Sequence, residues 1–225
     1  MAALIRKIVD RLTKKGIISK TEIAKFLPSN PIIIEAGAYI GNDTKTMSRQ
    51  WPDGFIHAFE PVPSIYSKLV RNVRRCNNVR CYPIALAKES GLVQIFISDG
   101  ESTASSSLLR PKEHLKYHPK TVFQKPQLVE STTLDDWKRR YNIEKVDFLW
   151  LDTQGTELEI MKNAPIVMRD VSVIYTEVSL KEMYEGSSLY GELKRWLMAE
   201  GFVVKREELP WEDMGNVLFV RTSKR

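Results

Sequence analysis

Cysteine and histidine are scarce in this chain: 225 residues hold two cysteines, Cys76 and Cys81, and three histidines. The spacing of the two cysteines gives no CxxC pair, and no set of His and Cys stands ready to complete a zinc site, so no metal centre is expected. No run of about 18 apolar residues occurs, and no secretory h-region, so a cytoplasmic protein without membrane insertion is expected. Blocks of one charge are missing as well. Lys and Arg number 34 against 28 Asp and Glu, a net charge of +6, but they are scattered from Arg6 to Arg225 rather than gathered into the stripe of a nucleic-acid binder. The short clusters at Arg71, Arg74 and Arg75 and at Lys138 to Arg140 read as solvated helix faces. There is no internal repeat.

What the sequence does hold is an ordinary globular mix, 43% hydrophobic and 28% charged, in a length suited to one core. Leu4, Ile5, Ile8, Val9 and Leu12 fall at helical spacing, and Thr21 precedes a second short helix over Glu22 to Leu27, so residues 1–30 read as a helical lead-in and 31–225 as the main domain. From Pro31 onward, short apolar runs alternate with helical patterns. Strands are expected at Ile32 to Ala36, Phe55 to Glu60, Val79 to Ala85, Leu92 to Ser98, Val146 to Asp152 and Val171 to Val178. Helices are expected at Asp43 to Gln50, Ser64 to Arg74, Leu134 to Tyr141, Glu157 to Asn163 and Leu189 to Glu200. Phe202 to Arg206 and Val217 to Arg221, separated by a turn, read as an antiparallel pair. Runs apolar on both faces suit a covered sheet, so the fold class is α/β, a doubly wound and mostly parallel sheet.

Such sheets bind ligands beyond the carboxyl ends of their strands. Those ends carry Glu35, Glu60, Asp152 and Glu177, so four strands deliver carboxylates to one rim. The turn from Glu35 to Gly41 is a GxxxG turn between strand and helix, with glycines that let backbone and ligand approach. It lacks the GxGxxG of a pyrophosphate cradle. Glu60, at the next strand end, can accept both hydroxyls of a ribose, so an adenosine compound without a phosphate linkage, such as S-adenosylmethionine, fits better than NAD or ATP.

These residues carry a specific resemblance. Ile34 to Gly41 with Thr44, Phe59-Glu60-Pro61, Ile84-Ala85-Leu86 with Gly91, Thr133 to Asp136, and Asp147 to Asp152 running into Gly155 and Glu157 occur in the order of the FkbM-type S-adenosylmethionine-dependent methyltransferases. The resemblance spans about residues 31 to 180. It implies a seven-stranded Rossmann-like methyltransferase sheet with an antiparallel last strand, and O-methylation of a hydroxyl on a sugar or small metabolite. It further implies that Gly37, Ala38 and Gly41 line the donor's amino-acid end, that Glu35 orients that end, that Glu60 binds the ribose and that Ala85 sits near the adenine. Two positions depart from the family pattern: Tyr39 replaces a common Asn, and Gln154 a common Glu, which removes a charge beside Asp152.

Methyl transfer to an alcohol needs alignment, exclusion of water and a proton acceptor. Asp152 is the first candidate base, with capping of the following helix as its structural alternative; Glu177 is the second, and Glu157 reads as structural. His57, inside a strand, reads as a packed core residue. His114 and His118 lie in a polar stretch, Asp99 to Lys125, without clear helix or strand pattern; it reads as a lid whose Ser102, Ser105, Ser106 and Ser107 could contact the donor. This stretch and Lys181 to Ser188 are where an acceptor would be read. Two competing readings are an RNA methyltransferase, which needs a contiguous basic surface, and a non-catalytic or dinucleotide-binding module.

Overall fold

A computed structural model describes residues 18–222; the helix expected over residues 4–12 lies outside them. The first described helix, α1 (Lys20–Ile23), is capped by Ser19, whose side chain accepts the Glu22 N–H, and a 3-10 turn over Ala24–Phe26 follows it. Ser19, not the expected Thr21, is the cap because Ser19 has the extended backbone a cap needs, whereas Thr21 is already helical. Ile18 and Ile23 are buried in one cluster with Met47 and Trp51.

The main domain then runs β1 (Ile32–Ala36), α2 (Asn42–Gln50), β2 (Phe55–Phe59), α3 (Pro63–Val73), β3 (Val79–Tyr82), β4 (Ala85–Leu86), β5 (Gly91–Ile95) and β6 (Ser98–Gly100). It continues with α4 (His114–Tyr117), β7 (Thr121–Phe123), β8 (Gln127–Thr132), α5 (Leu134–Arg140), β9 (Phe148–Leu151), α6 (Glu157–Lys162) and α7 (Pro165–Asp170). Last come β10 (Val173–Ser179), α8 (Tyr190–Ala199), β11 (Phe202–Glu208) and β12 (Met214–Arg221). Seven strands form the central sheet in the order β11-β12-β10-β9-β1-β2-β3, parallel except for β12, which runs antiparallel to both its neighbours. Strand order reverses between β1 and β9, the crevice where an open α/β sheet presents its ligand site.

Alternate residues of the central strands serve two cores. Ile33, Phe148, Trp150 and Val173 pack with Met47 of α2 and Leu69 of α3. Ile34, Leu149, Leu151 and Ile174 pack with Leu134 of α5, Leu158 of α6, Val167 of α7 and Leu193 of α8. Helices on both faces explain why these strands read as unbroken apolar runs.

Three departures from expectation have identifiable causes. The expected strand Val79 to Ala85 is two strands, because Pro83 has no N–H for the ladder; β4 turns away to pair with β8 in a second sheet of order β4-β8-β5. Helix α7 was not expected. Its first turn is capped from far along the chain by Asp135, whose two oxygens accept the N–H groups of Ile166 and Val167 at 2.9 Å each. The stretch Asp99 to Lys125 is ordered rather than patternless. It contains α4 and the antiparallel pair β6–β7, and it is stitched to the 182–185 segment by Lys112 N to Met183 O at 2.9 Å and Glu185 N to Arg110 O at 2.8 Å. The two regions expected to read an acceptor are therefore one layer.

The histidines lie within packing. His57 Nδ1 pairs with the Tyr82 hydroxyl at 2.9 Å, its ring meets Trp137 edge-on, and burial holds it down at about 4. His114 is buried against Tyr184 and Phe123, and burial likewise pushes it to about 4. His118 faces Asp213. Among the described residues no helix is long and apolar enough to cross a membrane, and no group of three His, Cys, Asp or Glu could hold a metal ion.

Candidate active site

The tips of four strands are laced together by backbone hydrogen bonds. Gly37 N and Ala38 N both donate to Phe59 O, at 3.1 and 2.9 Å; Asp152 N donates to Ala36 O at 3.0 Å, and Glu60 N to Tyr82 O at 3.1 Å. Gly37 has φ +79°, and a Cβ there would stand 1.8 Å from the carbonyl oxygen of Asp152, so glycine is what lets the tips of β1 and β9 close on each other. Gly41 has another task. At φ +84° it opens α2 beneath α3, where a Cβ would meet Leu69 Cδ1 at 2.7 Å.

Between these tips lies a cavity of about 190 Å³, many times what a single water needs. Glu35, Gly37 and Ala38 line it from β1 and its turn, Glu60 from the end of β2, Ala85 from β4 and Asp152 from the end of β9. The structure thus brings six of the eight sequence-predicted site residues to one wall. Gly41 and Glu177 are not in it. Ser106 and Ser107 reach the cavity from the 99–125 layer, whereas Ser102 and Ser105 bond each other at 2.7 Å. Tyr39 crosses the mouth to touch the hydroxyl of Thr103. Its φ is +49°, a left-handed conformation that Asn adopts more readily than Tyr, which explains the physical preference behind the common Asn at this position.

The wall is rich in carboxyl groups. Glu35 is buried with Thr44 Oγ1 donating to it at 2.6 Å, and burial pushes its carboxyl to about 8. Glu60 accepts Tyr39 N through Oε2 at 3.1 Å and Val62 N through Oε1 at 2.8 Å; burial still raises it to about 7. Both values exceed the ordinary 4.5, so the folded chain holds more protons than the unfolded one in this window. Their contribution to stability is complete below about pH 4.5 and drains away as pH rises toward 8. Melting temperature measured across that window is expected to fall, and to fall less steeply in Glu60→Gln; an equal slope in the variant would refute the assignment.

Beside the cavity lies a side-chain network that sequence reasoning missed. Gln154 Nε2 donates to Asp152 Oδ1 at 2.8 Å and to Glu177 Oε2 at 2.7 Å, bridging the two candidate bases. Its Oε1 stands 2.8 Å from the Tyr184 hydroxyl, which is also 2.9 Å from Ser105 O; with one proton, that hydroxyl serves one acceptor fully or divides between them. Asp152 and Glu177 both titrate above the usual carboxylate range. Burial is the main cause for each, and for Glu177 the charge of Asp152 adds to it. Because the charge of Asp152 bears on Glu177, their protons come off in two steps that belong to the pair. The open surface of Asp152 faces the cavity. Its carboxylate caps no helix: Thr156, the N-cap of α6, makes no side-chain cap, and it is Glu157 that clasps the preceding turn, accepting Thr153 N at 2.8 Å and Gly155 N at 3.1 Å. The only sequence signal for the bridge was Gln154 itself, an amide where a third carboxylate is common.

Comparison with known proteins places this geometry in context. The family described as the methyltransferase FkbM domain matches residues 35–204. The chain is 29% identical over 162 residues to the 2-O-methyltransferase NoeI of Sinorhizobium fredii, covering 70% of this chain and 67% of that protein. It is 28% identical over 213 residues to the methyltransferase sdnD of Sordaria araneosa, covering 82% and 78%. Among solved structures, Methanococcus jannaschii fibrillarin superposes with a TM-score of 0.54 at 16% identity, covering 88% of this chain and 70% of that one. Aeropyrum pernix fibrillarin, solved with natively bound S-adenosyl-L-methionine, gives 0.50 at 17% identity over 86% and 69%. The solved structures share the fold, and the match of 35–204 decides the family: the chain belongs to the FkbM family of S-adenosylmethionine-dependent methyltransferases.

Proposed function

We propose that the chain methylates a hydroxyl group of a sugar or small metabolite, holding S-adenosylmethionine in the cavity between the β1 and β2 tips. The observation that carries this reading is the convergence of Glu60, Gly37 and Asp152 on one cavity. Each oxygen of Glu60 holds one backbone N–H and keeps lone pairs for a further donor, which suits the two hydroxyls of a ribose. Ala85, with Ile84 and Leu86, offers an apolar bed for a flat base, and Glu35 a buried acid for a cationic amino group. The relative named a 2-O-methyltransferase supports a hydroxyl acceptor.

The donor supplies a methyl group already activated by its sulfonium, so the residues have to align the acceptor oxygen and receive its proton. Asp152 faces the cavity and takes that proton. Gln154 keeps Asp152 Oδ1 engaged, which fixes the carboxylate plane and leaves Oδ2 for the acceptor; the same amide holds Glu177 Oε2, so the two carboxyls are kept apart. The layer formed by the 99–125 and 181–188 segments covers the same side, where acceptor specificity would be read.

Titration with S-adenosylhomocysteine tests the donor site. At about a hundredfold excess over Kd, mass action adds about 2.7 kcal/mol, a rise in melting temperature of about 5–10 °C for a chain of this size. Glu60→Ala is expected to weaken binding at least about tenfold, the cost of losing its hydrogen bonds to the ribose. Transfer of labelled methyl to hydroxylated acceptors tests the reaction. Stabilisation by NAD with none by S-adenosylhomocysteine would instead favour the dinucleotide-binding reading.

A further inference from the structure

The donor proposed above carries a carboxylate at its amino-acid end, and the cavity wall is poorly suited to an anion. It presents the carboxyl groups of Glu35, Asp43, Glu60 and Asp152, and among the described residues no Lys or Arg lines it. The β1 turn spends most of its own backbone amides internally, which leaves those at the start of α2, Asn42 and Asp43, as the backbone donors nearest an anion. Gly37 N and Ala38 N are spent on Phe59 O, Tyr39 N on Glu60 Oε2, and Gly41 N on Ala38 O. A cation beside those amides would strengthen the hold on a carboxylate entering here.

One cation stands at that edge. Lys20, from α1, holds its Nζ 2.5 Å from Asp43 Oδ1 and 4.4 Å from the centre of the Trp150 ring; Asp43 and Trp150 both line the cavity. Its side chain is only 19% exposed, so the charge is aimed along the rim rather than out into solvent. The segment is fixed there by packing: Ile18 and Ile23 are buried with Met47 of α2, and Ile18 N donates to Glu208 Oε2 at 3.1 Å. An ammonium has three protons, so one can stay on Asp43 while another meets a second carboxylate. The Trp150 face adds a cation–π contact that keeps the charge in place.

We infer that Lys20, which precedes the family-matched residues 35–204, binds the carboxylate of the donor's amino-acid moiety. This rests on the donor reading above. The lead-in is then part of the binding site and not only a packed cover, and affinity for the whole donor depends on residues outside the matched stretch.

Isothermal titration of the full chain with two probes separates the possibilities. S-adenosylhomocysteine carries the carboxylate; 5′-methylthioadenosine has the same nucleoside and lacks it. Lys20→Met is expected to weaken S-adenosylhomocysteine about tenfold or more while changing 5′-methylthioadenosine less than about twofold, because one charge-assisted hydrogen bond is lost and the nucleoside contacts are not. Lys20→Arg, which keeps the charge, should retain most of the affinity. Added salt should weaken S-adenosylhomocysteine more in the wild type than in Lys20→Met. An unchanged S-adenosylhomocysteine affinity in Lys20→Met, or an equal loss for both probes, overturns the inference and leaves Lys20 as a tether of α1 to α2. A wild-type chain that binds neither probe overturns the donor reading itself.

Discussion

Asp152→Asn is expected to lower kcat by about 10² to 10⁴, the usual contribution of a positioned base, while S-adenosylhomocysteine binds as before. The amide keeps the shape and an acceptor oxygen but cannot take a proton. Single-turnover transfer of labelled methyl to a hydroxyl acceptor measures the first quantity and calorimetry the second. The pH profile gives an independent signature. Burial lifts Asp152 above its ordinary 3.8, and only the ionised form acts as a base, so activity should rise with pH through a limb displaced above the ordinary carboxylate range. That limb should vanish from the residual activity of the variant. A variant with more than about a third of wild-type turnover, or with the limb intact, would remove Asp152 from the mechanism.

Gly37→Ala should be the most damaging glycine-to-alanine change among the described residues. The added carbon lands 1.8 Å from the Asp152 carbonyl oxygen, a backbone atom that cannot rotate away, and φ +79° strains any side chain. Together these cost about 3 kcal/mol or more, equivalent to about 6 °C or more in melting temperature for a domain of this size. Donor binding should fail with it, since β1 and β9 can no longer close and both strand tips form the cavity wall. Gly191→Ala is the control. It lies in α8 with its nearest neighbour atom, on the flexible Arg195 side chain, at 3.7 Å, and alanine there should change melting temperature by no more than a few degrees. Equal effects of the two substitutions would refute the steric account.

What could be read from the sequence follows the physics of burial. Ile32 to Ala36, Phe148 to Leu151 and Val173 to Ser179 announce themselves because helices cover both faces of the sheet. The rim carboxylates were legible because strand ends have fixed meaning in an open α/β sheet. Pro83 was a visible break that the apolar letters around it masked. Helix α7 was not legible: it is short, and its cap, Asp135, sits about thirty positions earlier in the chain. The same holds for Gln154. That its amide joins Asp152 to Glu177 and meets Tyr184 depends on three segments converging, and no periodicity encodes convergence. The order within 99–125 was hidden for a like reason, since its partners lie at 182–185.

Placing β12 between β10 and β11 has a consequence for biosynthesis. As the polypeptide leaves the ribosome, β11 emerges before β12, its sole strand partner among the described residues. Until β12 slides in, the nascent chain shows an open flank of β10, the kind of unpaired edge that recruits holding chaperones or sticks to another copy. Stop codons or frameshifts near Met214 should therefore give insoluble product rather than a slightly shortened enzyme, with Val217 and Leu218 withdrawn from the two cores they complete.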